Sequence, residues 1–274
     1  MNPTRLRQRA AITAALRRWF EANGYAEVHT SVLVQSPALE EHLEPVAVGD
    51  AYLHTSPEFA MKRVLAAGLC RIYQIVPCFR EEELGTHHRR EFTMVEWYRT
   101  NAGTRELMDD VEQLVEAAAV AVGVPPPRLT RRSVSQIWTD LNLAEPDNEL
   151  DWFRLWVDRV EPTLTEPTIV FDYPAWQAAL ARERRGRADR FELYLSGIEI
   201  GNCFAEEGDA RVLRRRFEQS SAKRAAMGRR PHPEDTALIQ ATPRMPRSAG
   251  MAIGLDRLVM ALTGAPDIGD VQTC

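Results

Sequence analysis

The chain alternates between stretches of helical and strand-like hydrophobic spacing, and the changes divide it into elements. Over 5–22 the apolar residues Leu6, Ala10, Ile12, Leu16, Trp19 and Phe20 recur near helical spacing, with Thr4 as an N-cap and Gly24 as a stop. Strand-like runs follow over 25–34 and 46–55. Ser56-Pro57 then opens a helix that Gly68 ends. Ile72, Tyr73, Ile75 and Val76 form a strand ending at Pro77, a charged loop covers 80–90, and a second strand covers 91–98. In that second strand Phe92, Met94 and Glu96 alternate with Thr93, Val95 and Trp97. A helix over 104–122 carries the stripe Leu107, Met108, Val111, Leu114, Val115 and Ala118, stopped by Gly123 and three prolines. Residues 128–167 read as a helical insertion, with short helices over 133–141 and 149–160 in which Trp138, Trp152 and Trp156 serve packing. Strands over 168–173 and 191–200 follow, the second a hairpin turning at Ser196-Gly197. Asp209 caps a basic helix over 210–227, a short helix lies within 232–241, and a final strand leads into a helix opening at Asp256.

With 274 residues, the chain suits one large domain carrying a small insertion. The net charge of −5 argues against a protein that wraps nucleic acid, although arginines cluster locally over 182–190 and 211–216. Cys70, Cys78, Cys203 and Cys274 form no CxxC pair and read as free thiols of a reducing compartment. No signal peptide and no 18-residue apolar run is present, so a soluble cytoplasmic protein is expected.

The candidate chemistry concentrates in the hairpin. A carboxylate such as Glu96, in a strand with Phe92 and Trp97, is costly to bury without a cation. Glu96 and Tyr98 face one side and can receive an ammonium group. Arg80, at a strand end, can grip a phosphate, and Phe92 can stack on a purine. A solvated loop with surface ion pairs fits the same stretch. Glu192 and Glu199 are unusual in strands so apolar; they suit Mg²⁺, or merely the charge of an edge strand. Arg257, in the first turn of the last helix, is placed for a terminal phosphate. No Walker loop or dinucleotide fingerprint occurs.

The stretch FREEELGTHHRREFTMVEWY, over 79–98, resembles motif 2 of the class II aminoacyl-tRNA synthetases. Its form is similar to that of the lysine-type branch and its short paralogues, the lysine ligases of elongation factor P. TSPEFAMKR over 55–63, GNCFAEE over 201–207 and the motif 3-like SAGMAIGLDRLVM over 248–260 extend the resemblance to nearly the whole chain; 128–167 is the weakest part. The resemblance implies an α+β fold, a mostly antiparallel sheet flanked by helices, with ATP bent over it. It implies that Arg80 bridges the α-phosphate and the attacking carboxylate, and that Arg257 holds the γ-phosphate. Glu192 and Glu199 would carry Mg²⁺, and Phe92 would stack on adenine. Glu81, Glu82, His88, Arg89, Ile200 and Gly254 would surround the nucleotide. Glu58 and Glu96 would hold the inner amino group, and Tyr98 and Glu206 the terminal one, with Ser56, Asn202 and Ala252 completing the pocket.

Several positions depart from the pattern. Arg89 replaces an asparagine, Cys203 a glycine and Glu207 a leucine, the last two expected in the pocket wall. Ala252 stands where full lysyl enzymes have glycine, as in the short paralogues. Ser31 stands where motif 1 carries its interface proline, and a homodimer is still expected. The expected activity is ATP-dependent adenylation of lysine, foremost (R)-β-lysine, and transfer to a lysine of elongation factor P. Because no anticodon-reading barrel precedes the catalytic unit, tRNA is not the expected acceptor. A lysine-type enzyme charging tRNA or another acceptor, and a non-catalytic paralogue, are the competing readings.

Overall fold

The computed structural model describes residues 2–273 and opens with helix α1 (Pro3–Ala22). Asn2 caps it in place of Thr4, because its side-chain oxygen accepts from the N–H groups of Thr4 and Arg5 while Pro3 fills the first turn. The strand expected over 25–34 is two short ones, β1 (Ala26–Glu27) and β2 (Leu33–Val34), which join different sheets. β3 (Ala47–Val48) and β4 (Ala51–Leu53) turn at Gly49 and complete a three-stranded sheet in the order β2-β4-β3. Helix α2 (Glu58–Ala66) leads to the long hairpin β5 (Arg71–Phe79) and β6 (Glu91–Thr100). β5 continues through Pro77, since its pairing with β1 stops at Tyr73 and the proline lies on an open edge.

Helix α3 (Thr104–Ala121) precedes the segment 128–167, which holds β7 (Thr130–Ser133), α4 (Val134–Asp140) and α5 (Glu149–Leu155), the last continued by a π-helical turn over Trp156–Val160. Then come β8 (Thr168–Pro174), β9 (Glu183–Arg184), β10 (Arg187–Leu195), β11 (Ile198–Ala205), α6 (Ala210–Ala226), α7 (Thr236–Ala241), β12 (Ser248–Gly254) and α8 (Leu255–Thr263). Ser196 and Gly197 both take positive φ, 54° and 77°, the conformation that a tight two-residue hairpin needs.

The main sheet runs β1-β5-β6-β12-β11-β10-β8-β7, with β9 beside β10. Its inner pairs are antiparallel and only the two end pairs are parallel, as expected of the α+β fold. Ile12, Leu16 and Phe20 of α1, Val111 and Leu114 of α3, and Leu258 of α8 cover one face, packing on Val95, Trp97, Met251 and Leu193. Cys203 is fully buried in this core, so it does not stand in the pocket wall as expected; strand alternation turns it away while Asn202 and Phe204 face the other side. In the 128–167 segment Trp152 and Trp156 stack at 4.5 Å, with Trp138 edge-on to both, and β7 extends the sheet.

The second face of the sheet is polar. Glu96 of β6, Ala252 of β12, Asn202 of β11 and Glu192 of β10 are successive cross-strand partners, so they form one row across four strands. Among the described residues, Cys70, Cys78 and Cys203 are free thiols, and no helix is long and apolar enough to cross a membrane. Cys274 lies outside the described residues.

Candidate active site

Two lobes open above this polar row, of about 560 Å³ and about 800 Å³. They share Arg80, Met94, Asn202 and Ala252, so they form one continuous cleft. The strands supply the floor. Helix α2 and the loop over 35–44 roof the first lobe, and the loop over 80–90 roofs the second.

The first lobe collects four carboxylates: Glu40, Glu58, Glu96 and Glu206. Glu96 accepts from Ser56 Oγ at 2.7 Å and from Tyr98 OH at 2.5 Å. Burial, reinforced by Glu58, pushes the Glu96 carboxyl up to about 8. Burial does the same to Glu206, also up to about 8, although Lys62 opposes it. The Lys62 ammonium, 3% exposed, lies 2.6 Å from Glu58 and 2.5 Å from Glu206. Burial works against that charge, but Glu206 and Glu58 outweigh it and hold Lys62 protonated. The second Glu206 oxygen, Oε1, is buried without a hydrogen-bond partner among the described residues. An unpartnered buried carboxylate oxygen facing a cleft is suited to an incoming ammonium group.

Close backbone packing makes room for this lobe. A Cβ at Gly250 would lie 2.1 Å from the Tyr98 ring, so only glycine lets that ring lie flat on β12.

The second lobe is cationic. Arg80 stands at the junction, ion-paired with Glu83 at 2.8 Å and 5.0 Å from the Phe92 ring centroid; its Nε is buried and unpartnered. Arg257 donates to the carbonyls of His87 at 3.2 Å and Glu199 at 3.0 Å, and lies 2.5 Å from His88 Nε2. Burial and the Arg257 charge hold the His88 imidazole below its usual range, so it accepts as a neutral ring. Arg89 pairs with Asp267 at 2.7 Å, and the Ile268 N–H donates to Thr86 O at 2.9 Å, so the C-terminal segment clips the 80–90 loop.

The two expected magnesium ligands differ. Glu192 is engaged: its carboxylate accepts from Tyr173 at 2.5 Å, from Tyr194 at 2.7 Å and from Arg190. Among the described residues, no side chain donates to Glu199, whose carboxyl is pushed up to about 7 by burial and then by Glu192. A cation placed there would relieve that repulsion, so Glu199 could hold a divalent ion, with Glu192 behind it.

Of the residues singled out in the sequence, Ser56, Glu58, Glu96, Tyr98, Asn202, Glu206 and Ala252 line the first lobe. Arg80 lines both lobes, and His88, Arg89, Phe92, Glu199, Ile200, Gly254 and Arg257 line the second. Glu81 and Glu82 lie outside this lining. They pair with Arg90 at 3.1 Å and Arg229 at 2.8 Å, and Glu83 faces the cleft instead. Glu207 also lies outside the pocket wall, with its side chain accepting from the Asp209 N–H and lying near Arg216.

A family model described as tRNA synthetases class II (D, K and N) matches residues 2–273. The chain belongs to the class II tRNA synthetase family. It is 39% identical to the elongation factor P--(R)-beta-lysine ligase of Erwinia tasmaniensis, over 97% of this chain and 93% of that protein. It is 37% identical to the protein of the same name from Enterobacter sp. (strain 638), over the same shares.

This class II synthetase site contains residues that sequence reasoning missed: Glu40, Lys62, Glu83 and Ile268. For Lys62 a signal existed. It lies three residues from both Phe59 and Leu65, on the buried stripe of α2, although its spacing from Glu58 reads as a surface pair. Ile268 had no local signal, because its place in the cleft depends on the chain doubling back after α8.

Proposed function

We propose that this class II synthetase relative activates a diamino acid of the lysine type, foremost (R)-β-lysine, and ligates it to a lysine side chain of elongation factor P. The observation that carries this reading is the first lobe. It is lined by four carboxylates, holds an unpartnered Glu206 oxygen, and opens through Arg80 into a cationic second lobe. A diammonium carboxylate matches that order of charges. Elongation factor P as acceptor is the activity for which both relatives are named.

In the first step a carboxylate oxygen of the amino acid attacks the α-phosphorus of ATP. The bond to the bridging oxygen breaks and pyrophosphate leaves with its electron pair. Arg80 faces both lobes and draws the two anionic reactants together. Arg257, fixed by the His87 and Glu199 carbonyls, receives the outer phosphates, and Phe92 and Ile268 flank the base. Mg²⁺, held at Glu199, would supply charge neutralisation of the phosphates. Glu58 and Glu96 orient the inner amino group, and Glu206 with Tyr98 the terminal one. In the second step the neutral amine of the acceptor lysine attacks the acyl carbonyl, AMP departs, and one proton is released as the amide forms. The reaction belongs in the cytoplasm, with elongation factor P rather than tRNA as acceptor and with the enzyme working as a homodimer.

The test is intact-mass spectrometry of elongation factor P after incubation with the protein, ATP, Mg²⁺ and (R)-β-lysine, with tRNA offered in parallel. The expected result is one added lysyl group on the protein and none on tRNA. Acylation of tRNA alone would overturn the assigned acceptor.

A further inference from the structure

Glu40 is one of the four carboxylates of the first lobe, beside Glu58 and Arg80, yet it has no substrate group assigned to it. Among the described residues, no other residue hydrogen-bonds to or ion-pairs with its carboxylate. Its position is nevertheless built. Leu39 is anchored among Phe59, Leu213 and Phe217. On the other side, Arg224, 1% exposed, donates to the carbonyls of Glu41 and Leu43, each at 2.9 Å, and pairs with Glu44 at 2.8 Å. His232 contacts the Leu43 carbonyl at 3.1 Å and Thr55 donates to the Pro37 carbonyl at 2.9 Å. A buried arginine spending its donors on loop carbonyls fixes the backbone on both sides of Glu40. A carboxylate on an anchored loop, near a like charge and bonded to no other residue, suits an external cation.

We propose that Glu40 is a specificity-determining substrate residue: together with Glu58 it receives the inner ammonium of the diamino acid, the one nearer the reacting carboxylate. The location supports this end of the substrate: Glu40 lines the lobe with Arg80, which stands at the junction with the second lobe, and Glu58, Arg80 and Lys62 all act on it electrostatically. The inference rests on the diamino-acid reading of the lobe.

The experiment compares wild type with Glu40→Gln by calorimetry, using (R)-β-lysine, L-lysine and 6-aminohexanoate, which keeps the terminal amine and lacks the inner one. A hydrogen bond to a charged partner predicts a loss of about tenfold to a hundredfold in affinity for both diamino acids. Affinity for 6-aminohexanoate and the KM for ATP should stay within about twofold. Equal losses for all three ligands, or none for the diamino acids, would overturn the proposal. Glu40→Asp keeps the charge and should recover part of the affinity; it also replaces the first variant should that one fail to fold. If the wild type binds none of the three ligands, the diamino-acid reading fails and Glu40 falls with it. If it binds them without activating them, the assigned reaction fails and the comparison at Glu40 still stands.

Discussion

Glu96 and Glu206 carry the electrostatic tension of the first lobe. Both are buried, both are pushed up to about 8, and Lys62 alone does not neutralise the carboxylates around it. Near neutral pH the empty lobe therefore keeps protons on these carboxyls. An ammonium ligand favours the ionised forms, lowers both pKa values and expels protons. Substrate affinity should accordingly rise as pH increases from about 6 to about 8 and level off above that. Calorimetry of L-lysine near neutral pH, in two buffers of different ionisation enthalpy, should register net proton release. Net uptake would contradict this electrostatic picture.

At the scale of elements, the 80–90 loop derives its position from α8 and the segment that follows it. Arg257 of α8 holds His87 and His88 from below, and Asp267 holds Arg89 from the C-terminal segment. The Arg89–Asp267 pair is partly exposed, so it adds less than about 1 kcal/mol to stability. Its value lies in placing the roof of the second lobe. Asp267→Asn should raise the KM for ATP about threefold to tenfold, leave the KM for lysine unchanged, and keep the thermal midpoint. Steady-state kinetics with each substrate varied separately would show the split; an effect on both substrates would contradict it.

These elements also show what was legible in the sequence. The hairpin over β5 and β6 and the alternation placing Phe92, Met94, Glu96 and Tyr98 on one face follow from period two and local turn chemistry, while Asn202 and Ala252 were legible only through the resemblance of their motifs to the family. Glu40, Ile268 and the clip at Asp267 were not legible, because each depends on loops meeting across the fold. Cys203 was misplaced for a different reason. Its motif is a strand, and a strand sends neighbouring residues to opposite faces. β7 escaped because Thr130, Arg131 and Arg132 carry no apolar alternation; pairing with β8, rather than burial of a face, makes them a strand.

At the scale of the whole molecule, the fold places three helices on one face of a sheet and the two-lobed polar cleft on the other, and leaves the three-stranded sheet at the periphery. That small sheet exposes Leu33 at 53%, two residues after Ser31, and Val48 at 46%, and a homodimer is proposed to cover it. Light scattering should give the mass of two chains, and Leu33→Lys should shift the species to one. A wild-type monomer across micromolar concentrations would contradict the dimer.

The central claim is that the carboxylate-lined lobe selects a diamino acid for adenylation. Amino-acid-dependent ATP–pyrophosphate exchange tests it most directly, with (R)-β-lysine, (S)-β-lysine, L-lysine and the other common amino acids run side by side. The expected result is strongest exchange with (R)-β-lysine, weaker exchange with L-lysine and none with acids that lack a second amine. Exchange driven by a monoamino acid, with none from either lysine, would contradict the account.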